Sequence, residues 1–169
     1  RYQAGEFSQG VGYFFALGVL YDRSGDDAYR GRRYAQGTSA HQAIGVLFDE
    51  RGNDRYRAKT AAGQGAGWDA SIGLLRDRAG NDLYKAGYLS QGAAAMNSWG
   101  LLVDEQGQDR YEALSGQGLG GSVKYWGGRK AKNLGGLIDT GDQPDQYNQM
   151  GRSNEHTVYS PGIGLFLDH

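Results

Sequence analysis

Two series of aspartates recur along the chain, and their carboxylates are candidates for metal binding or catalysis. In the first four units, the second aspartate follows the first by five residues. The first series comprises Asp22, Asp49, Asp77, Asp104, Asp139 and Asp168, and the second comprises Asp27, Asp54, Asp82, Asp109 and Asp145. Carboxylate oxygens are ligands of hard cations such as Ca²⁺. Catalysis of glycoside hydrolysis would instead require an exposed aspartate pair at roughly 5–9.5 Å.

Aspartates repeated in this way must have their mutual repulsion compensated. At a strand spacing of about 4.8 Å, neighbouring carboxylates repel by roughly 3–4 kcal/mol at an effective dielectric near 20. One interpretation is that N–H groups of the turns, helped by nearby Arg and Lys, compensate the charge. The other is that Ca²⁺ binds between units, and both interpretations stay open. The metal ligands of the second interpretation are Asp22, Asp27, Asp49, Asp54, Asp77, Asp82, Asp104 and Asp109.

The aspartates belong to a repeated unit of about 27 residues, in which Asp22, Asp49, Asp77 and Asp104 lie 27, 28 and 27 residues apart. Each unit reads G-Φ-L-x-D-x-x-G-[DNQ]-D-x-Y, followed by a spacer and a Gln-Gly pair. Such a fixed period indicates a repeat architecture. The sequence predicts one repeat domain over 1–169, with coils near 1–22, 22–49, 49–77, 77–104, 104–139 and 139–168.

Short strands and turns explain this unit best. G-Φ-L-x-D is typical of a buried strand, D-x-x-G of a type I turn, and D-x-Y of a second strand. We therefore predict an all-β fold, a parallel β-solenoid of five to six coils, while a polyproline-II bundle stays an alternative. Stacked coils would align the tyrosines and the glutamines in columns. A column of alternating charge is expected to form ion pairs between coils: Arg23, Glu50, Arg78 and Glu105.

The G-[DN]-D-x-Y turns resemble the calcium-binding nonapeptide of RTX-type β-rolls, whose pattern is G-G-x-G-x-D. The resemblance covers one turn per unit. The period here is three times longer, and the double glycine is missing. The resemblance implies calcium as a bound cofactor of the aspartate columns.

One interval departs from the repeat. Asp104 and Asp139 are 35 residues apart, and the extra residues predict an inserted loop at 119–134. Aromatic and basic side chains in this loop are candidates for binding a sugar, an acidic partner or a neighbouring subunit. They are Lys124, Tyr125, Trp126, Arg129 and Lys130. The alternative is a surface insertion without a ligand. Trp99 takes the strand position of Ile44 and Ile72, so it is predicted to lie in the core.

Composition narrows the function classes. The chain has no Cys and a net charge of −1, so nothing indicates thiolate chemistry or nucleic-acid binding, and no apolar run predicts a membrane span. No catalytic motif identifies an enzyme. We predict a non-catalytic structural, adhesive or assembly module of a bacterial protein that is secreted, periplasmic or on the cell surface. The alternative is a carbohydrate-binding or polysaccharide-processing β-helix.

The expected partners follow from the repeat. Arg1-Tyr2-Gln3-Ala4 matches Arg55-Tyr56-Arg57-Ala58, so the chain is expected to be an internal piece of a longer array. Further repeats or protein subunits would then stack on it end to end. Glycan is the other partner considered.

Overall fold

The computed structural model of the protein describes residues 1–118, 132–149, 157–160 and 163–168. These residues contain strands and turns and no helix, so no described helix could cross a membrane. The chain winds into a β-solenoid of about five turns, whose successive coils pair in parallel at the repeat spacing. The predicted all-β parallel solenoid is confirmed.

The longest strands come from the G-Φ-L-x-D segments and form what we call the long-strand sheet. Their registers align each glycine and each terminal aspartate with its equivalent in the next coil. A last strand, β18 at Thr157–Ser160, pairs antiparallel with β19. The parallel strands are β4 (Leu17–Asp22), β8 (Ile44–Asp49), β11 (Ile72–Asp77), β14 (Trp99–Asp104), β16 (Leu134–Asp139) and β19 (Ile163–Asp168).

A second sheet, here the tyrosine sheet, carries the tyrosine of every unit on its inner side. Its strands follow the D-x-x-G turns and pair in parallel with Tyr opposite Tyr. The strands are β1 (Tyr2–Gln3), β5 (Ala28–Gly31), β9 (Arg55–Ala58), β12 (Leu83–Ala86), β15 (Arg110–Ala113) and β17 (Gln146–Tyr147).

The Gly- and Ala-rich returns close each coil. They form a sheet of two-residue strands, β3 (Gly12–Tyr13), β7 (Ser39–Ala40), β10 (Gly67–Trp68) and β13 (Ala94–Ala95). A two-stranded ladder of β2 (Glu6–Ser8) and β6 (Arg33–Ala35) continues in later coils as single bridges. These strands are short because the chain turns sharply on either side of each one.

The Gln-Gly pairs form one set of corners. Gln64 and Gly65 both have positive φ, 53° and 73°, so the backbone reverses over two left-handed residues. A Cβ on Gly65 would lie 1.9 Å from the carbonyl oxygen of Leu101. Glycine is therefore required both for its conformation and for the close approach of the next coil.

The glycine at the second position of strands β4, β8, β11 and β14 has a purely steric role. A Cβ on Gly100 would lie 2.1 Å from the carbonyl oxygen of Ala93, because the return strand packs directly on the long-strand sheet. At Gly136 a Cβ would meet only the flexible Leu101 side chain, at 2.7 Å.

We therefore expect Gly100→Ala to destabilise the protein by about 1–3 kcal/mol, the usual cost of forcing extra atoms into a packed interior. Gly136→Ala is the matched control, since Leu101 can move aside. The measurement is the denaturant midpoint of each variant. Equal midpoints for the two variants would contradict the steric account.

Candidate functional site

The tyrosines of the repeat stack along the axis of the solenoid. Adjacent ring centroids lie 4.7–4.9 Å apart, and the ring planes deviate by only 1–4°. The four inner rings are fully buried, together with one leucine from each of four long strands, Leu47, Leu75, Leu102 and Leu137. The stack comprises Tyr2, Tyr29, Tyr56, Tyr84, Tyr111 and Tyr147. The predicted tyrosine column is thus present, and it forms the centre of the core.

The first five tyrosine hydroxyls of the stack each donate a hydrogen bond to the first-series aspartate that lies next along the chain, whereas Tyr147 donates to the preceding one, Asp139, at 3.3 Å. Tyr56 donates to Asp77 and Tyr84 to Asp104, both at 2.6 Å between the hydroxyl and the carboxylate Oδ2. Tyr2, Tyr29 and Tyr111 make the same bond at 2.6–2.7 Å. Burial, with the adjacent carboxylates, raises the pKa of Tyr84 well above its ordinary value. The tyrosines therefore stay protonated and act as donors.

The second oxygen of these aspartates is used by the turn that follows. The backbone N–H groups of Arg51 and Ala79 donate to Oδ1 of Asp49 and Asp77, both at 3.2 Å. These bonds match the interpretation in which turn N–H groups stabilise the carboxylates. Asp104 differs, because its Oδ1 is buried and accepts no hydrogen bond.

The second-series aspartates link the coils directly. The backbone N–H of Asp54 donates to Oδ1 of Asp82, and that of Asp82 donates to Oδ1 of Asp109, each at 2.6 Å. These three residues are at most 3 % exposed. Their other oxygen, Oδ2, is buried without a hydrogen-bond partner. Each of these carboxyls therefore carries an unsatisfied buried oxygen, which is costly unless a proton or a cation occupies the space beside it.

The two series approach one another in the interior. In three groups of aspartates, carboxylate oxygens lie within 4.8 Å of one another. The groups are Asp49, Asp54 and Asp77; Asp82, Asp104 and Asp109; and Asp109, Asp139 and Asp145. Six of the eight predicted metal ligands lie in these groups, whereas Asp22 and Asp27, in the partly exposed first coil, do not. Oxygens this close can share a proton or hold a hard cation.

Burial raises the pKa values of interior aspartates of both series. It raises the pKa of Asp54 and Asp109 to about 8 and that of Asp82 to about 10, and neighbouring carboxylates add to the effect. The pKa of Asp77 is raised less, to about 6, because the Tyr56 hydroxyl and the backbone N–H of Ala79 donate hydrogen bonds to its charged form. In the metal-free protein, Asp54, Asp82 and Asp109 therefore bind protons near neutral pH.

The glutamine column bonds to the main chain, and its amides do not pair with one another as a simple ladder would require. Gln64 Nε2 donates to the carbonyl oxygens of Tyr56 in its own coil and Lys85 in the next, at 3.0 and 3.2 Å. Gln91 repeats this arrangement with Tyr84 and Glu112. Each amide thus satisfies carbonyls of the tyrosine sheet at the Gln-Gly corner.

The predicted column of alternating charge forms only in part. Arg78 pairs with Glu50 at 3.1 Å, as expected. Glu105, however, pairs with Arg76 at 2.6 Å. Arg76 lies on the outer side of the long-strand sheet and reaches the turn of the next coil.

An aromatic cluster that the sequence reasoning missed lies on the first two coils. Phe7 contacts Tyr34 and Tyr13, with ring centroids 5.0 and 4.3 Å apart, and Tyr13 meets Phe14 edge-on at 4.6 Å. Phe14 in turn stacks on His41 at 4.6 Å. The signal was the run Tyr13-Phe14-Phe15, which stands where the next unit has Ala40-His41-Gln42.

His41 connects this aromatic cluster to a buried acid. Its Nδ1 lies 2.6 Å from Asp69 Oδ2, and Asp69 is only 7 % exposed. The cluster thus combines exposed ring faces with a polar group at its edge.

The structure tests one of two predictions about aromatic residues. Trp99 was predicted to lie in the core, but it is 53 % exposed. It points outward because inward positions of its strand alternate with outward ones, and the interior receives Gly, Leu and Asp. Lys124, Tyr125, Trp126, Arg129 and Lys130 of the predicted ligand loop lie outside the described residues.

Comparison of the chain with protein-family models, with curated proteins and with solved structures finds no match. The chain is therefore described by its architecture, a tandem-repeat parallel β-solenoid with a buried tyrosine–aspartate ladder.

Proposed function

We propose that the protein is a non-catalytic structural module, a rigid spacer of an exported bacterial protein. The observation that carries the proposal is that the Asp, Tyr and Gln side chains of the repeat are buried and engaged in holding coils together. A catalytic carboxyl must reach a substrate, whereas these face the interior. In a repeat protein each coil contacts only its neighbours, so coils can be added without disturbing the others, as a spacer of variable length requires.

The spacer role is testable by changing the number of coils. Two additional copies of residues 50–77, inserted after Asp77, should lengthen the particle by about 10 Å at the strand spacing of parallel coils. Small-angle X-ray scattering measures this length, and calorimetry should show a melting temperature at least equal to that of the parent. Collapse or unfolding of the extended chain would contradict a modular spacer.

We further propose that Ca²⁺ stabilises the coils by binding between the two aspartate series. The partnerless Oδ2 atoms of Asp54, Asp82 and Asp109 support this, since each lies in a group of close carboxylate oxygens. A divalent cation there would offset the repulsion between coils. The likeness of the turns to RTX-type β-rolls points to the same ion.

Calcium should therefore raise the melting temperature at pH 8. At a free concentration 100 times the Kd, binding adds about 2.7 kcal/mol of stability. Asp82→Asn should reduce this gain, since Asn keeps the bond to the N–H of Asp54 and removes one anionic oxygen. Asp142→Asn, in an exposed turn, is the matched control. Identical melting curves in calcium and in EDTA would show that protons alone offset the repulsion between the aspartates.

Carbohydrate binding is a second candidate function, and the aromatic cluster on the first two coils favours it. Exposed ring faces beside polar groups are what sugars stack on. Phe14 is 56 % exposed and Tyr13 36 %.

A glycan array tests this candidate directly. Tyr13→Ala should abolish any glycan signal, while Tyr88→Ala, at a 60 % exposed tyrosine in another coil, should leave it intact. Loss of the signal in both variants, or in neither, would count against the cluster as the binding site.

A further inference from the structure

The outer side of the long-strand sheet is an apolar surface. Strands β8, β11 and β14 bury their second, fourth and sixth residues and turn their first, third and fifth residues outward. In the five strands from β4 to β16, the fifteen outward positions hold thirteen apolar side chains, Gly136 and Arg76. We call this surface the outer face. Its first column includes Leu17, Ile44, Ile72 and Trp99, which are 39–68 % exposed.

The two exceptions do not interrupt this surface. Leu101 lies against Gly136, so the missing side chain leaves no gap. The charge of Arg76 is neutralised within the chain, since its Nε and Nη2 both lie 2.6 Å from Glu105 Oε1. The outer face therefore offers an incoming partner no uncompensated charge, and the complementary surface is apolar.

We propose that the outer face binds the outer face of a second copy of this chain, with the two long-strand sheets packed face to face. A second copy presents the same apolar rows at the same coil spacing, so the two sets of rows can interdigitate at about 10 Å between sheets. The pairing rests on the proposed structural role and gives it a lateral assembly contact.

The size of the outer face suits such a dimer. The last parallel strand, β19, continues the outer face with its third and fifth residues, Leu165 and Leu167. The six parallel strands of six residues then span about 29 Å by 20 Å, so two copies would cover about 1,100 Å², above the roughly 1,000 Å² that a specific interface requires. Apolar residues on both sides of the strands are typical of parallel sheets whose two faces are covered. The interior covers one face, and the second copy covers the other.

Sedimentation equilibrium and oxidative cross-linking test the pairing. The wild-type chain should sediment as a dimer at micromolar concentration, and Ile72→Lys should weaken the dimer at least tenfold. Leu114→Lys is the matched control, because Leu114 is 63 % exposed but lies outside this sheet. Since the chain has no Cys, Leu74→Cys at the centre of the face should give a covalent dimer on oxidation, and Leu114→Cys should not.

The outcomes separate this proposal from the spacer role. A folded chain that stays monomeric, or one that cross-links equally through both cysteines, overturns face-to-face pairing and leaves the spacer role intact. Scattering and circular dichroism on each variant show whether the coils have formed. Failure of the coil-insertion experiment would overturn the spacer role whatever the oligomeric state.

Discussion

In EDTA, the protein should lose stability as the pH rises from 5 to 9. The folded-state pKa values of Asp54, Asp82 and Asp109 are raised to about 8, 10 and 8 by burial and neighbouring carboxylates, whereas the unfolded value is close to 3.8. Between these values the folded chain holds more protons than the unfolded chain, so the free energy of unfolding falls with pH. Their stabilising contribution is complete below pH 4 and is lost as the pH passes through the folded values.

The expected slope is steep. Each fully buried carboxyl that binds one extra proton contributes about 1.4 kcal/mol per pH unit, so three of them change the stability by several kcal/mol across this range. Denaturant melts at several pH values measure the slope. Asp82→Asn should flatten the profile because Asn does not titrate, and the exposed Asp142→Asn should not. A profile that is flat or rises with pH would show that these carboxyls are charged and already compensated.

Calcium and protons compete for the same oxygens, so the calcium effect should grow with pH. At pH 5 Asp54, Asp82 and Asp109 hold protons, and calcium binding must displace them. At pH 9 the protons of Asp54 and Asp109 have largely left, and calcium meets carboxylates. The difference between melting temperatures with calcium and with EDTA should therefore be larger at pH 9. The reverse order would place the calcium site away from the aspartate ladder.

The sequence predicted the solenoid because its landmarks are fixed by stacking. Asp77 and Asp104 must lie opposite each other once Gly73 pairs with Gly100, so one register aligns every column. The turn N–H bonds to the first-series aspartates also follow from local chain geometry. The hydrogen bond from Tyr84 to Asp104 was harder to predict from the sequence, since it depends on how the tyrosine sheet folds back over the next coil.

The outer face shows where sequence reasoning failed. The strand W-G-L-L-V-D contains no polar residue before its aspartate, so a period-2 pattern cannot tell which side is buried. Trp99 is predicted to lie in the core because it takes the strand position of Ile44 and Ile72, but these two residues also face outward, 43 % and 39 % exposed. The interior of a small coil has room for one tyrosine and one leucine per unit, so the remaining apolar residues lie outside. The aromatic cluster was missed because its members come from separate short strands and corners of two coils.

Removing one tyrosine from the stack should have a large effect on stability. Tyr84 is 0 % exposed, and its ring lies between Tyr56 and Tyr111 at centroid distances of 4.9 and 4.8 Å. Tyr84→Ala leaves a cavity that the rigid neighbouring coils cannot close, and we expect a loss of about 3–5 kcal/mol, as for other large buried aromatic residues. Urea or guanidinium melts of the purified variant measure this loss.

Tyr84→Phe separates the ring from its hydroxyl. Phe keeps the stacking but removes the donor to Asp104, whose Oδ1 already lacks a hydrogen bond. Leaving this buried carboxyl oxygen of Asp104 without its donor costs about 1–3 kcal/mol, so this variant should lie between wild type and Tyr84→Ala. Tyr88→Phe, at an exposed tyrosine, should be neutral. If Tyr84→Phe were also neutral, the hydrogen bond from Tyr84 to Asp104 would contribute nothing to stability. The stack would then be held by ring packing alone.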